Sequence, residues 1–300
     1  MFGRAAVAVL FSISLASSVA AQQVILGILE EVSGESTGGP NSYAVRSVFL
    51  KGSAGWQAYP SNCRNPQCLK TISSKFPAKT LWTITFDGKS LGHLTAQTPR
   101  EFQFYADVGL QKITSTGSIP SVGKPSVDFG GFDAAPVHRP LVANSQPYFR
   151  DPDVWKPTQP SPVLLGLLRQ QFRKKFPKLC RISKHDESTL EPFVYGDEDV
   201  RLAKAYASKN GWLVARLHLS EAVDCSDTEA GFEIDDPWFT IDPEKSPRYL
   251  DSGMWLVDAG DYDNDGRSEL VFSISRYNRG GYLLFYDDFS RHAAFEFSYH

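Results

Sequence analysis

Apolar and polar residues alternate along much of the chain, and a period of two predicts strands. Residues 24–32 and 43–50 read as strands separated by a Gly/Ser-rich loop. Residues 81–86 alternate, Asp87-Gly88 supplies a tight turn, and 91–96 return. That pattern predicts a hairpin, because glycine accepts positive φ. A second hairpin is predicted for 200–207 and 212–219 around Asn210-Gly211. In its second arm Leu213, Ala215, Leu217 and Leu219 share one face, whereas Arg216 and His218 share the other with Trp212 and Val214. Four more strands are expected at 254–257, 269–275, 282–286 and 293–299, with Phe295, Phe297 and Tyr299 on one face of the last. Such a final strand must pair with something, often the first sheet of a closed β architecture.

One segment changes period. Ser161 is placed to cap a helix with Pro162 at its first position. Leu164, Leu165, Leu168, Phe172 and Phe176 then follow helical spacing, and Pro177 ends the run. The Pro-rich stretch before it, 136–160, reads as an extended loop or linker. Two organisations stay open: two halves joined near 140–160, or one closed domain with a helical insertion near 162–176. The six tryptophans, at 56, 82, 155, 212, 238 and 255, are irregularly spaced, so no clean repeat emerges.

Residues 1–21 read as a cleaved secretory signal. Arg4 precedes an uncharged apolar run at 5–15, and Ser18-Val19-Ala20-Ala21 offers small residues for cleavage. The apolar run is short against the roughly 20 residues a membrane-spanning helix needs. The expected product is a secreted or periplasmic single domain, residues 22–300, with no transmembrane segment after cleavage. Its four cysteines, Cys63, Cys68, Cys180 and Cys225, are an even set, which suggests two disulfides in an exported chain. Three connectivities exist; Cys63–Cys68 and Cys180–Cys225 are favoured, the first stapling a short turn-forming loop. A half zinc site at Cys63 and Cys68 would need a second Cys or His pair, which the sequence does not offer.

Composition narrows the class. Of 300 residues 42% are hydrophobic and 13% aromatic, which excludes a disordered chain. A formal net charge of -3 argues against a general nucleic-acid binder, since nothing in that balance neutralises phosphates. The charge is unevenly spread. Arg169, Arg173, Lys174, Lys175, Lys178, Arg181 and Lys184 form a basic run, and residues 224–244 hold acids without Lys or Arg. The basic run reads as a solvated helix face, and the two stretches are expected to pair.

The chemistry concentrates in Asp258-Ala-Gly-Asp261-Tyr-Asp263-Asn-Asp265-Gly266-Arg-Ser-Glu269. Alternate carboxylates in a tight loop can converge on one hard cation, and oxygen ligands suit Ca²⁺. Tyr262 and Asn264 would then point away. An EF-hand starting at Asp261 would want Glu at 272, where Phe272 stands, and a helix where an apolar strand follows. Asp-x-Asp-x-Asp-Gly-x-x-Glu before a strand resembles the calcium loop of FG-GAP/VCBS repeats, the blades of integrin α N-terminal-like β-propellers. The resemblance covers residues 254–288. It implies a mainly β, β-propeller-like fold and a structural Ca²⁺ held by the side chains of Asp261, Asp263, Asp265 and Glu269 and the backbone carbonyl of Arg267. The family usually carries Asp at the ninth position, where this chain has Glu269, and several such loops, where this chain has one.

Other candidates weigh less. Gly34-Glu35-Ser36-Thr37-Gly38 matches a nucleophile-elbow pattern, but another strand follows where the elbow needs a helix. His185-Asp186-Glu187 reads as a solvated turn, and His93 has no evident partner. No catalytic residue is assigned. The expected function is a calcium-stabilised binding or structural module contacting extracellular protein or carbohydrate. The alternative is a secreted hydrolase acting on an extracellular polymer.

Overall fold

Period-two alternation does give a mainly β chain, and a computed structural model shows how its strands stack. It describes residues 23–32, 42–63, 65–99, 102, 104–123, 139–147, 149–185, 189–225, 236–276 and 278–298. The expected signal, the Gly34–Gly38 motif and the acids of the 185–187 cluster lie outside them.

Four antiparallel sheets form, and none is closed among the described residues. The first contains β1 (Ile25–Val32), β2 (Ser42–Gly52), β3 (Gly55–Ala58), β4 (Thr80–Phe86), β5 (Lys89–Ala96), β6 (Leu110–Lys112) and β7 (Leu141–Asn144). Its order is β3-β2-β1-β7-β4-β5, with β6 pairing onto β2. The Asp87-Gly88 turn forms as expected, with both residues at positive φ. The Pro-rich stretch expected to be a loop or linker instead contributes β7, which is fully buried between β1 and β4. Four apolar-to-neutral residues between prolines are too few to show a period, so tertiary pairing decides this strand.

The predicted helix is the second of two, and a shorter one that the sequence pattern did not announce precedes it. Here α1 spans Pro66–Ile72 and α2 spans Pro162–Lys175. The Ser161 hydroxyl accepts from the Leu164 N–H at the start of α2, as the cap pattern requires. Residues 63–68 were expected as a bare turn, but Asn65 caps α1 and Pro66 starts it, so the Cys63–Cys68 bridge closes a helix entry. The second bridge joins Cys180 to Cys225.

A five-stranded sheet runs β15-β14-β12-β11-β8, from β8 (Lys156–Pro157), β11 (Arg201–Ala207), β12 (Leu213–His218), β14 (Trp238–Ile241) and β15 (Pro247–Asp251). A small sheet holds β9 (Leu179–Ile182) between β10 (Leu190–Pro192) and β13 (Val223–Asp224). The chain ends in a four-stranded meander: β16 (Met254–Gly260), β17 (Glu269–Arg276), β18 (Arg279–Tyr286) and β19 (Arg291–Ser298). β17 runs to Arg276 and β18 starts at Arg279, so both reach beyond the strands expected at 269–275 and 282–286. The last strand pairs with β18 and packs on β3 and β2 by contact rather than by joining their sheet.

The meander is the middle layer. Val257, Val271, Tyr282, Leu284 and Phe295 pack toward Leu26, Ile28, Val48 and Phe49 of the first sheet. Met254, Leu270, Phe272, Leu283 and Phe285 pack toward Val214 and Trp238 of the five-stranded sheet. Burial on both faces explains why β18 reads as a near-continuous apolar run. Beyond the five-stranded sheet, Leu168 and Phe172 of α2 cover Leu213, Ala215 and Leu217, the face expected to be apolar. The predicted pairing of the basic run with 224–244 is not found among the described residues. Arg173 pairs with Asp197 and Arg181 with Glu191 instead.

Candidate metal centre

The acidic loop connects β16 to β17, and the Gly260–Glu269 pair closes its base. Asn264 (φ 61°) and Gly266 (φ 94°) take left-handed conformations that turn the chain back on itself. Asp261 Oδ1 accepts from Asp265 N–H at 2.9 Å, and its Oδ2 accepts from Gly266 N–H at 3.0 Å. Asp265 Oδ1 accepts from Arg267 N–H at 2.9 Å. These bonds curl the loop around Asp261, which is fully buried, while Asn264 and Asp265 are exposed. One carboxylate oxygen from each of Asp261, Asp263 and Asp265 lies within 4.8 Å of the others. This donor set is all hard oxygen, which fits Ca²⁺ and disfavours zinc or copper.

Glu269 is placed differently. Its Oε2 accepts from Tyr262 N–H at 2.8 Å and its Oε1 from the Trp56 indole N–H at 3.3 Å. Its carboxylate therefore bridges the two ends of the loop and β3, outside the convergent triplet. Arg267, expected to offer its carbonyl, sends its guanidinium to Asp265 (3.3 Å) and Asp287 (2.9 Å). Tyr262 turns away from the acids, as expected, and stacks on Phe149 with ring centroids 5.2 Å apart.

Besides Arg267, two cations from distant parts of the chain reach the loop. Lys51 of β2 forms an ion pair with Asp263. Arg150 Nε lies 3.4 Å from Asp261 Oδ2. Both partners are more than a hundred residues away in sequence, and no local pattern signals them. Burial works against the Lys51 charge, yet Asp263, Glu269 and Asp265 outweigh it and hold its pKa above the ordinary value. Burial pushes the Asp261 carboxyl upward, and the Asp265 and Asp263 charges push the same way against the N–H donors of Gly266 and Asp265. Burial likewise drives Glu269 well above its usual range, reinforced by Asp263. A divalent cation at the triplet would offset the burial, and with it the mutual repulsion, that keeps these carboxyls reluctant to ionise.

A strap over residues 149–155 fixes the loop to its neighbours. Arg150 C=O accepts from Asp261 N–H at 2.8 Å. Asp153 Oδ2 accepts from Ser268 N–H at 2.8 Å, and Asp151 Oδ1 accepts from Ser268 Oγ–H at 2.6 Å. The same Asp153 binds the Asn210 side chain and, through its C=O, Lys209 N–H. Asp87 N–H donates to Asp258 Oδ1 at 3.1 Å. Gly88 of the same turn lies against Asp151, so turns of three different sheets meet around one strap. The Phe149 ring occupies the space beside Gly260 where any Cβ would sit, at 2.1 Å, so that position requires glycine.

Comparison of the chain with known protein families, with curated proteins and with solved structures finds no match. No helix among the described residues is long and apolar enough to cross a membrane. His93, without an evident partner in sequence, lies 3.3 Å from Thr83 Oγ1.

Proposed function

We propose that the loop from Asp261 to Glu269 binds Ca²⁺ and that the protein is a calcium-stabilised, propeller-type β module working in an oxidising compartment, outside the cell or in the periplasm. The observation that carries this reading is the convergence of Asp261, Asp263 and Asp265 oxygens within 4.8 Å. Two disulfides with no free cysteine among the described residues support the compartment. In this reading Asp261, Asp263 and Asp265 hold the ion, with Glu269 and the Arg267 carbonyl completing the set. The bound ion supplies stability rather than chemistry, because the loop joins β16 to β17 at the centre of the layered core. The protein contacts extracellular protein or carbohydrate through its loops.

Thermal melting of the protein in 1 mM Ca²⁺ and in chelator tests this. The midpoint rises with Ca²⁺, and the rise disappears in Asp263→Asn and Asp265→Asn. An equal midpoint in both buffers overturns it.

A further inference from the structure

The face of β12 that carries Arg216 and His218 holds an arrangement separate from the acidic loop. The His218 Nδ1 lies 2.7 Å from Asp236 Oδ1, and the His218 Nε2 lies 3.0 Å from Ser220 Oγ. A carboxylate can only accept, so the proton between Asp236 and His218 sits on Nδ1. The Nε2 of the neutral ring is then the acceptor, and the Ser220 hydroxyl is its donor. Arg216 Nε lies 3.3 Å from the other Asp236 oxygen and holds that carboxylate in place. Carboxylate, imidazole and hydroxyl are thus joined in the order that activates a serine oxygen.

The three side chains sit on fixed supports. His218 ends β12, and Asp236 directly precedes Pro237, whose C=O accepts from Leu217 N–H at 3.0 Å. Leu219, Ala222 and Val223 are buried on either side of the Ser220 turn. Val223 of β13 then pairs with Cys180 of β9, two residues before Cys225 closes the Cys180–Cys225 bridge. Glu221, next to the serine, has φ 62°, a left-handed conformation that costs energy for a residue other than glycine. The hydroxyl is therefore presented at the tip of a strained, anchored turn at a strand end. Ser220 is exposed, and the His218 side chain keeps 40% of its exposure, so the hydroxyl is open to a bulky approaching molecule.

We propose that Ser220, His218 and Asp236 form an acyl-transfer site that hydrolyses short acyl esters, such as acetyl groups, projecting from a larger molecule. This gives the secreted-hydrolase alternative from the sequence a definite site, and it does not depend on the calcium reading. Ser220 Oγ attacks the ester carbonyl while its proton passes to His218 Nε2. The C–O bond to the alcohol breaks, and the alcohol leaves with that proton. Water then attacks the acyl-serine, giving up a proton to His218, which returns it to Ser220 as the carboxylic acid departs. Ser220 and His218 are the catalytic residues; Asp236 and Arg216 position the ring.

The test treats the protein, in Ca²⁺-containing buffer, with a fluorophosphonate probe and separately with p-nitrophenyl acetate. The expected result is a phosphonylated peptide containing Ser220, and ester hydrolysis that Ser220→Ala abolishes. His218→Ala lowers hydrolysis at least about 100-fold, and Asp236→Asn lowers kcat by about 10²–10⁴ with KM unchanged. Melting curves of the Ser220→Ala and His218→Ala proteins match the parent, which separates chemistry from folding. Absence of Ser220 from the labelled peptides, or hydrolysis undiminished in Ser220→Ala, overturns the proposal. Both readouts are repeated in chelator, so a failed calcium reading leaves this result interpretable.

Discussion

The indole N–H of Trp56 donates to Glu269 Oε1 at 3.3 Å across 213 residues of sequence. Trp56 belongs to β3 in the first sheet, and Glu269 opens β17 in the middle layer. Both are almost fully buried, so the bond ties the acidic loop to a sheet it does not belong to. Trp56→Phe keeps most of the ring and deletes the donor. The variant is expected to lose about 1–3 kcal/mol in calcium-free urea denaturation, because a carboxylate oxygen is left buried without a partner.

Lys51 competes with any cation at Asp263. Lys51→Met retains the apolar stem and removes the ammonium. Without Ca²⁺ the variant should melt lower by roughly 2–4 °C, for a loss of about 1 kcal/mol. With Ca²⁺ it should bind the ion severalfold more tightly, about 1 kcal/mol, since Asp263 is no longer neutralised by protein. Calorimetric titration against the parent measures both the affinity and its direction.

Stability should depend on pH through Asp258. Burial pushes this carboxyl up to about 7, against the opposing Asp87 N–H and the Arg139 charge. The folded state thus holds a proton that the unfolded chain releases near pH 4. Stability is highest below pH 4 on this account and falls as pH rises toward 7. Asp261 and Glu269, also raised, add slopes of the same sign. Asp258→Asn keeps an acceptor for Asp87 N–H and should flatten the calcium-free stability profile between pH 5 and 7, leaving the variant more stable than the parent at pH 8. Urea midpoints at four pH values suffice to check this.

The two disulfides should differ in worth. Cys63–Cys68 spans 5 positions and Cys180–Cys225 spans 45. Loop-closure entropy assigns about 2 kcal/mol to the first and about 4 kcal/mol to the second. Replacing each pair with serine, one pair at a time, and comparing denaturation midpoints checks the order. An equal loss for both would show that the short bridge also holds α1 against Cys63's buried surroundings.

Local features were the legible ones. Asp87-Gly88 and Asn210-Gly211 announced their hairpins, because the turn chemistry sits in adjacent residues. Ser161 and Pro162 announced α2 in the same way. The three aspartates were visible because two-residue spacing is itself the geometry that gathers them. Lys51, Arg150 and Trp56 were invisible, since they reach the loop only after sheets have stacked. Glu269 was assigned to the ion through the resemblance to FG-GAP/VCBS loops; its hydrogen bond to Trp56 depends on a distant neighbour that no local pattern encodes. Leu141–Asn144 hid among prolines, and Pro66 hid a helix start inside a disulfide loop. His218 and Asp236 were separated by an acidic stretch, and only the β12–β14 pairing brings them together.

The layer between the two larger sheets follows both of them in the sequence. Until residues 254–298 have emerged, Phe49 on one side and Trp238 on the other have nothing to cover them. An N-terminal fragment ending at Asp251 would therefore expose two apolar faces at once and aggregate. Neither outer sheet is covered until residues 254–298 are in place, so these strands are expected to complete both cores in one step.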